Sequence, residues 1–421
     1  MSKRKVFLPT RFSLSSLITF CLFATALTAG STERVLYSFQ GGKDGAHPEA
    51  QLVSDAAGNL YGTTSEGGSG CGEGCGTVFK LSPPSTRNGA WTKTTLFEFD
   101  GDDGSAPEGG LIFDKAGNLY GTTATGGAVR DGSVFKLTPP TVPGGVWSET
   151  VLYEFGGGND GSYPRAALAF DAEGNLYGTA FFGGSQDAGV VFQLVPPAFP
   201  GGSWTESIIH VFTGINDGAQ PFSAPLIDPH GNVYGTTQSS YSLGGGIFFR
   251  LTPPANGGTV WKETLLYVFD DQTSGAGAAD LIFDRTGHLY GTNNIGGANN
   301  CGTVYELTPP THGAPWTATV LHTFTGGSDG NLPTRQLAED PAGNLYGTTT
   351  AGSNGSVDTV FELTRPANSG EWRKTTLHEF VKQGDGTDPE GGLIYGKFGA
   401  LYGTTYSGGE SNNGTIYGVL P

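Results

Sequence analysis

The sequence predicts an all-β fold, a seven-bladed β-propeller with four short strands in each blade. Three observations predict it. The segment Gly58-Asn59-Leu60-Tyr61-Gly62-Thr63-Thr64 returns six more times, its tyrosine recurring as Tyr120, Tyr177, Tyr234, Tyr290, Tyr346 and Tyr402. Successive copies lie 56 to 59 residues apart, room for four strands and their turns. No helical period of useful length follows the N-terminal segment.

One unit shows the elements in order. Leu111-Ile112-Phe113-Asp114 is a short apolar run, and Lys115-Ala116-Gly117 is a turn. Asn118 to Thr123 then reads as a second strand, making a hairpin. After a glycine-rich loop, Gly132-Ser133-Val134-Phe135-Lys136-Leu137 is the third strand, stopped by Pro139-Pro140. Proline stops it because it cannot donate to a ladder. Trp147 to Phe155 is the fourth strand. All six tryptophans fall at this position. An Asp-Gly-x-x-Pro segment, as in Asp160-Gly161-Ser162-Tyr163-Pro164, leads into the next unit and is degraded only around Asp271 to Ala279. There Asp caps a turn, Gly takes a positive φ, and Pro begins the inner strand.

The chain ends supply the closure. The last unit stops after its third strand, Gly414 to Gly418. The missing fourth strand is at the other end, Arg34-Val35-Leu36-Tyr37-Ser38-Phe39. It is expected to complete blade seven and so remove the open edges of the array. A β-solenoid is the alternative architecture.

Residues 1–30 read as a secretory signal peptide, with Lys3, Arg4, Lys5 and Arg11 ahead of an apolar run from Leu14 to Ala29. Residues 31–421 form the single propeller domain, expected to be secreted or periplasmic, without a membrane span, and monomeric. Removing the signal leaves 18 basic against 39 acidic residues, a formal charge of −21. Such a surface excludes nucleic acid as a partner and suits carbohydrate or a surface protein. In an oxidising compartment Cys71 and Cys75, four residues apart in one loop, are expected to form a disulfide.

These elements resemble the GloVer-type tandem repeats of secreted bacterial proteins. The resemblance rests on Gly-Asn-Leu-Tyr-Gly-Thr-Thr, Gly-Thr-Val-Phe-Lys-Leu and Val-Leu-Tyr-x-Phe, and spans residues 33–420. It implies an extracellular location and brings no activity with it. A broader likeness to NHL-type and gluconolactonase-type propellers concerns the fold.

Function should therefore lie in what differs between copies. The residue after each Asp-Gly-x-x-Pro is Glu49, Glu108, Arg165, Phe222, Thr334 or Glu390. In a closed ring Glu390, Glu49 and Glu108 are neighbours, an acidic arc at the channel mouth beside Arg165. The arc reads as a ligand site, as a cation site that would take calcium, as catalytic carboxylates Glu49 and Glu108, or as a solvated rim. No cofactor is otherwise expected. Phe181, Phe182 and Tyr241, in the loops between strands two and three, suit sugar stacking. His210, His322 and His378 replace an outer-strand aromatic and are expected on the surface. No nucleophile elbow, phosphate loop or metalloprotease motif is present. A binding module is the leading reading. A propeller hydrolase, lactonase or lyase and a structural envelope protein are the alternatives.

Overall fold

The computed structural model describes residues 33–421 except 73, 87–88, 143, 200, 241–242, 256–257, 311–314, 352–354, 369 and 382–383. The expected signal peptide and Tyr241 lie outside the described residues. Seven antiparallel sheets form the ring; six are hydrogen-bonded in sequence order from inner to outer strand, and the seventh takes its outer strand from the N-terminal end. Blade 1 comprises Val53–Ser54, Leu60–Thr64, Thr77–Ser82 and Thr92–Glu98. In blade 7 the outer strand is Glu33–Ser38, which pairs with Thr415–Val419, Glu33 opposite Val419 and Ser38 opposite Thr415. The ring is thus closed by the N-terminal strand, as the sequence predicts.

The repeated motif builds the hairpin and the joint between blades. The Asp55 carboxylate accepts hydrogen bonds from the Ala57 and Asn59 backbone N–H groups, both at 2.9 Å, from Asn59 Nδ2 at 2.6 Å and from the Tyr61 hydroxyl at 3.1 Å. Burial would raise this carboxyl, but the bonds from Asn59 and Tyr61 hold it below the usual range. The same network surrounds Asp114, Asp171, Asp228 and Asp340. On its other side the tyrosine meets the next blade's tryptophan. Trp204 packs on Tyr120 at 6.4 Å, Trp261 on Tyr177 at 6.1 Å, and Trp91 on Tyr402 at 5.9 Å across the closure.

The glycine after each tyrosine is needed because the third strand's aromatic ring fills its place. A Cβ on Gly121 would lie 2.7 Å from Phe135 Cζ and 3.0 Å from Leu111 Cδ2. Both neighbours are buried, so Gly121→Ala is expected to cost about 1–3 kcal/mol. Denaturant unfolding measures this, and an unchanged midpoint would contradict it.

The apolar clusters straddle blades. One joins Tyr61, Val78 and Phe99 of blade 1 and its outgoing strand to Leu111, Leu119 and Phe135 of blade 2. Another joins Phe39 and Ile416 of blade 7 to Leu52, Leu60 and Phe79 of blade 1. Each core is therefore completed by a neighbour.

The Asp-Gly-x-x-Pro segments and the loops between strands two and three share one face. Isolated bridges tie them together, among them Ala46 to Glu66, Ser105 to Thr125 and Ser162 to Phe182. The residue before each proline adopts a left-handed conformation: φ is 58° at His47, 52° at Ala106, 62° at Tyr163, 59° at Gln220, 47° at Leu332 and 55° at Asp388. Because six different residue types accept this strain at equivalent positions, it belongs to the fold and not to one site. Blade 5 places Gly277 there, with φ 69°.

The segment's Asp sits in the seam between blades. Asp44 accepts from the Tyr37 hydroxyl at 2.7 Å and pairs with Lys93 Nζ at 3.0 Å. This corrects one expectation. His210, His322 and His378 occupy the seam position of Tyr37, with side chains only 16, 22 and 14 % exposed. They are not surface substitutions, because each ring sits in the seam beside a carboxylate, Glu263 at 3.9 Å for His210 and Asp385 at 3.6 Å for His378. His322 Nε2 lies 3.2 Å from Asp329.

Candidate binding site at the channel mouth

The inner strands begin just after each Asp-Gly-x-x-Pro segment, so their first residues ring the channel. Glu49 and Glu108 are each only 7 % exposed. Arg165 Nη2 lies 2.8 Å from Glu108 Oε2, and the Tyr163 hydroxyl donates to Glu108 Oε1 at 3.3 Å. The Arg165 guanidinium lies over the rings of Tyr163, Phe181 and Phe222 at 5.5, 5.8 and 5.3 Å. A second guanidinium, that of Arg335, also lies over Phe222 at 5.2 Å and faces Glu49 Oε2 at 4.0 Å. Glutamates, arginines and phenylalanine thus form one lattice across the mouth.

Burial pushes the Glu49 carboxyl up, against the opposing pull of Arg335. Burial also raises Glu108, reinforced by Glu49 and opposed by Arg165. Glu390 is raised by burial and drawn back by Arg335. His47 stacks on Tyr406 at 4.4 Å and reaches its carbonyl through Nδ1 at 2.9 Å. Deeper in, side chains bridge the inner strands: Gln51 Nε2 donates to the Leu393 carbonyl at 2.9 Å and Gln336 Nε2 to that of Leu281 at 3.2 Å.

The structure brings Glu49, Glu108, Arg165 and Glu390 into one electrostatic cluster. Phe181 is 9 % exposed beneath Arg165. Phe182 is half-buried, edge-on to Phe181 at 4.7 Å and to Tyr163 at 6.1 Å. Cys71 and Cys75 pair as a disulfide, Cα atoms 5.4 Å apart, beside Gly101. That places the bridge against the segment leading into blade 2. The guanidiniums of Arg165 and Arg335 stand against the acidic arc.

Two site residues escaped the sequence reading. Arg335 stands one position beyond Thr334, where the other blades carry Ala50, Gly109, Ala166, Ser223 and Gly391. A lone charge in that small-residue column was the available signal. Asp280 accepts from the Ala224 N–H at 2.6 Å, and desolvation raises its carboxyl against that bond and Arg335.

The Gloeobacter/Verrucomicrobia repeat model matches residues 21–192 and 259–421. The chain belongs to this repeat family. The unmatched stretch covers most of blade 4, whose second strand is lengthened to Val233–Ser240. The chain shares this fold with other propellers. A proposed 6-phosphogluconolactonase from Bacteroides uniformis superposes with a TM-score of 0.54 at 14 % identity, over 82 % of this chain and 88 % of that one. A PL25 polysaccharide lyase, an ulvan lyase bound to -[GlcA(1-4)Rha3S]-, gives 0.52 at 11 %, over 92 % and 95 %. At these identities the likeness is one of fold. No curated protein matches the chain. Among the described residues, no helix is long and apolar enough to cross a membrane.

Proposed function

We propose that this protein is an exported propeller whose channel mouth binds carbohydrate, free or on a surface partner. The convergence of Glu49, Glu108, Arg165 and Arg335 around Phe222 carries the reading. Carboxylates and guanidiniums held in fixed register offer acceptors and donors to sugar hydroxyls, and half-buried rings offer a face to a pyranose. The repeated residues are committed to turns and seams, so the variable mouth is the place left for recognition. Export is supported by the character of residues 1–30.

A glycan array followed by calorimetry tests this, with uronate-containing and neutral oligosaccharides as first probes. Phe182→Ala and Arg165→Ala are each expected to weaken binding by tenfold or more, about 1.4 kcal/mol. Absence of any saturable glycan ligand, or full affinity in both variants, would reject the reading.

A second reading rests on the raised carboxyls of Glu49 and Glu108, with the Tyr163 hydroxyl on Glu108. A carboxyl protonated beside an ionised neighbour is the pairing that acid–base cleavage uses. Turnover of a glycan or lactone, lost in Glu49→Gln or Glu108→Gln, would favour it.

A further inference from the structure

The seams between blades repeat one arrangement with different residues, and the comparison exposes a site. Each seam brings together three positions. One is the outer-strand aromatic or histidine. The second is the Asp of the Asp-Gly-x-x-Pro segment. The third lies two residues after the next blade's tryptophan, on the facing outer strand. In two seams the third position is a lysine. Lys93 Nζ lies 3.0 Å from Asp44 Oδ1, and Lys374 Nζ lies 3.1 Å from Asp329 Oδ1. A tethered ammonium is the cation of those seams.

The seam that closes the ring departs from this. Its three positions are His378, Asp385 and, from the N-terminal strand, Glu33. One ligand atom from each lies within 4.8 Å of the other two. His378 Nε2 is 3.6 Å from Asp385 Oδ2. Asp385 is 8 % exposed, and its Oδ2, buried from solvent, accepts no hydrogen bond. Two carboxylates and an imidazole thus converge at the position where Lys93 and Lys374 place an ammonium in two other seams. The seam of His210, Asp217 and Glu263 carries the same residue types, but among the described residues only the closing seam brings the three ligand atoms within 4.8 Å of one another.

We propose that this seam is a divalent metal site, selective for zinc and similar transition ions, which clasps the N-terminal strand to blade 6. The donor set decides the class. One imidazole nitrogen with two carboxylate oxygens suits zinc or cobalt, whereas calcium prefers six or more oxygens. Tetrahedral zinc holds its ligand atoms about 3.4 Å apart, so the set need close by at most about 1.4 Å, within reach of side-chain rotation. The fourth position is left to water. The site is separate from the channel mouth and does not depend on the carbohydrate reading. Its ligands span the one junction in the ring where successive strands are not joined by the chain, so the ion would act on closure.

The purified full chain, stripped with EDTA, is titrated with Co²⁺ and melted with and without Zn²⁺. Co²⁺ is expected to give a saturable visible d–d spectrum at one ion per chain, and Zn²⁺ to raise the melting temperature by about 3 °C. His378→Tyr installs the residue that sister seams already carry, so it should fold normally and lose both signals. Glu33→Lys copies Lys93 and Lys374. It should raise the metal-free melting temperature and abolish the zinc response. No saturable cobalt spectrum, or a zinc response intact in His378→Tyr, overturns the proposal. So does stabilisation by acid alone in EDTA with no response to metal, since a proton on the imidazole would then be the cation.

Discussion

The melting temperature is expected to fall as the pH rises from about 5 to 8. Besides the seam of Glu33, three seams place a glutamate where Lys93 and Lys374 stand elsewhere. Burial, then the charges of Asp103 and Asp100, push Glu149 up to about 7. Burial and Asp160 do the same to Glu206, also to about 7. Burial and Asp217 bring Glu263 to about 7. Glu149 Oε1, Glu206 Oε1 and Glu263 Oε1 are all buried without a hydrogen-bond partner, which agrees with that direction. Each group has its ordinary value near 4.5 when unfolded. Between 4.5 and 7 the folded chain therefore holds protons that the unfolded chain has released. The stabilisation is complete below the unfolded value and is lost as pH climbs through the folded one. The side chains remain partly open to water, so about 1 kcal/mol per seam is the expected scale. His210, lowered by burial, opposes this, but it is one group against three. Carboxylates held below their usual range, such as Asp55 and Asp329, act in more acid solution. Glu149→Gln, Glu206→Gln and Glu263→Gln together should flatten the profile at constant ionic strength. A melting temperature that is level or rising over this range would refute the assignment.

Replacing Phe39 should be among the costliest single changes, and its effect should be local as well as global. The ring is fully buried, 5.3 Å from Phe79 and 5.2 Å from Tyr37, and its backbone N–H donates to the Gly414 carbonyl at 3.0 Å. Phe39→Ala is expected to cost about 3–5 kcal/mol. Phe155 is as buried in blade 2, but its strand is covalently continuous with the strand it pairs to. Phe39 instead anchors a strand reached only through the ring. In Phe39→Ala, amide exchange should accelerate over residues 33–39 and 415–419 more than elsewhere. In Phe155→Ala no such local excess is expected. A cost below about 1 kcal/mol, or uniform loss of protection in both variants, would refute this.

How legible these features were depends on distance along the chain. Blade number, strand order and closure could be read because each repeat signals its own strands, and because the strand lacking at Gly418 is present at Arg34. The acidic arc was legible once the ring was assumed, since Glu390, Glu49 and Glu108 hold one register. Arg335 was not: it lies one position off that register, on blade 6, and its guanidinium meets Glu49 of blade 1, two blades away around the ring. The seam residues were hidden for a similar reason. Lys93 meets Asp44 from 49 residues away, on a strand whose alternation says only that one face is covered. Which covered residue faces which is a property of the joint between blades, and no single repeat contains that joint.

The sharing of every core by two blades bears on what a protease could achieve. Accessible loop tips are where cleavage concentrates, and the connection before Trp147, with Val142 and Val146 at 62 and 87 % exposure, is one. A nick there leaves both new ends held by ladders and by the blades on either side. The ring already runs with one break in its strand path, between Thr415–Val419 and Glu33–Ser38, which pair without a direct chain connection. A second break would yield two fragments interlocked as a noncovalent complex, separable by denaturant and inseparable by dilution. Resistance of this kind comes from the circular sharing of surfaces, without any one bond being hard to cut.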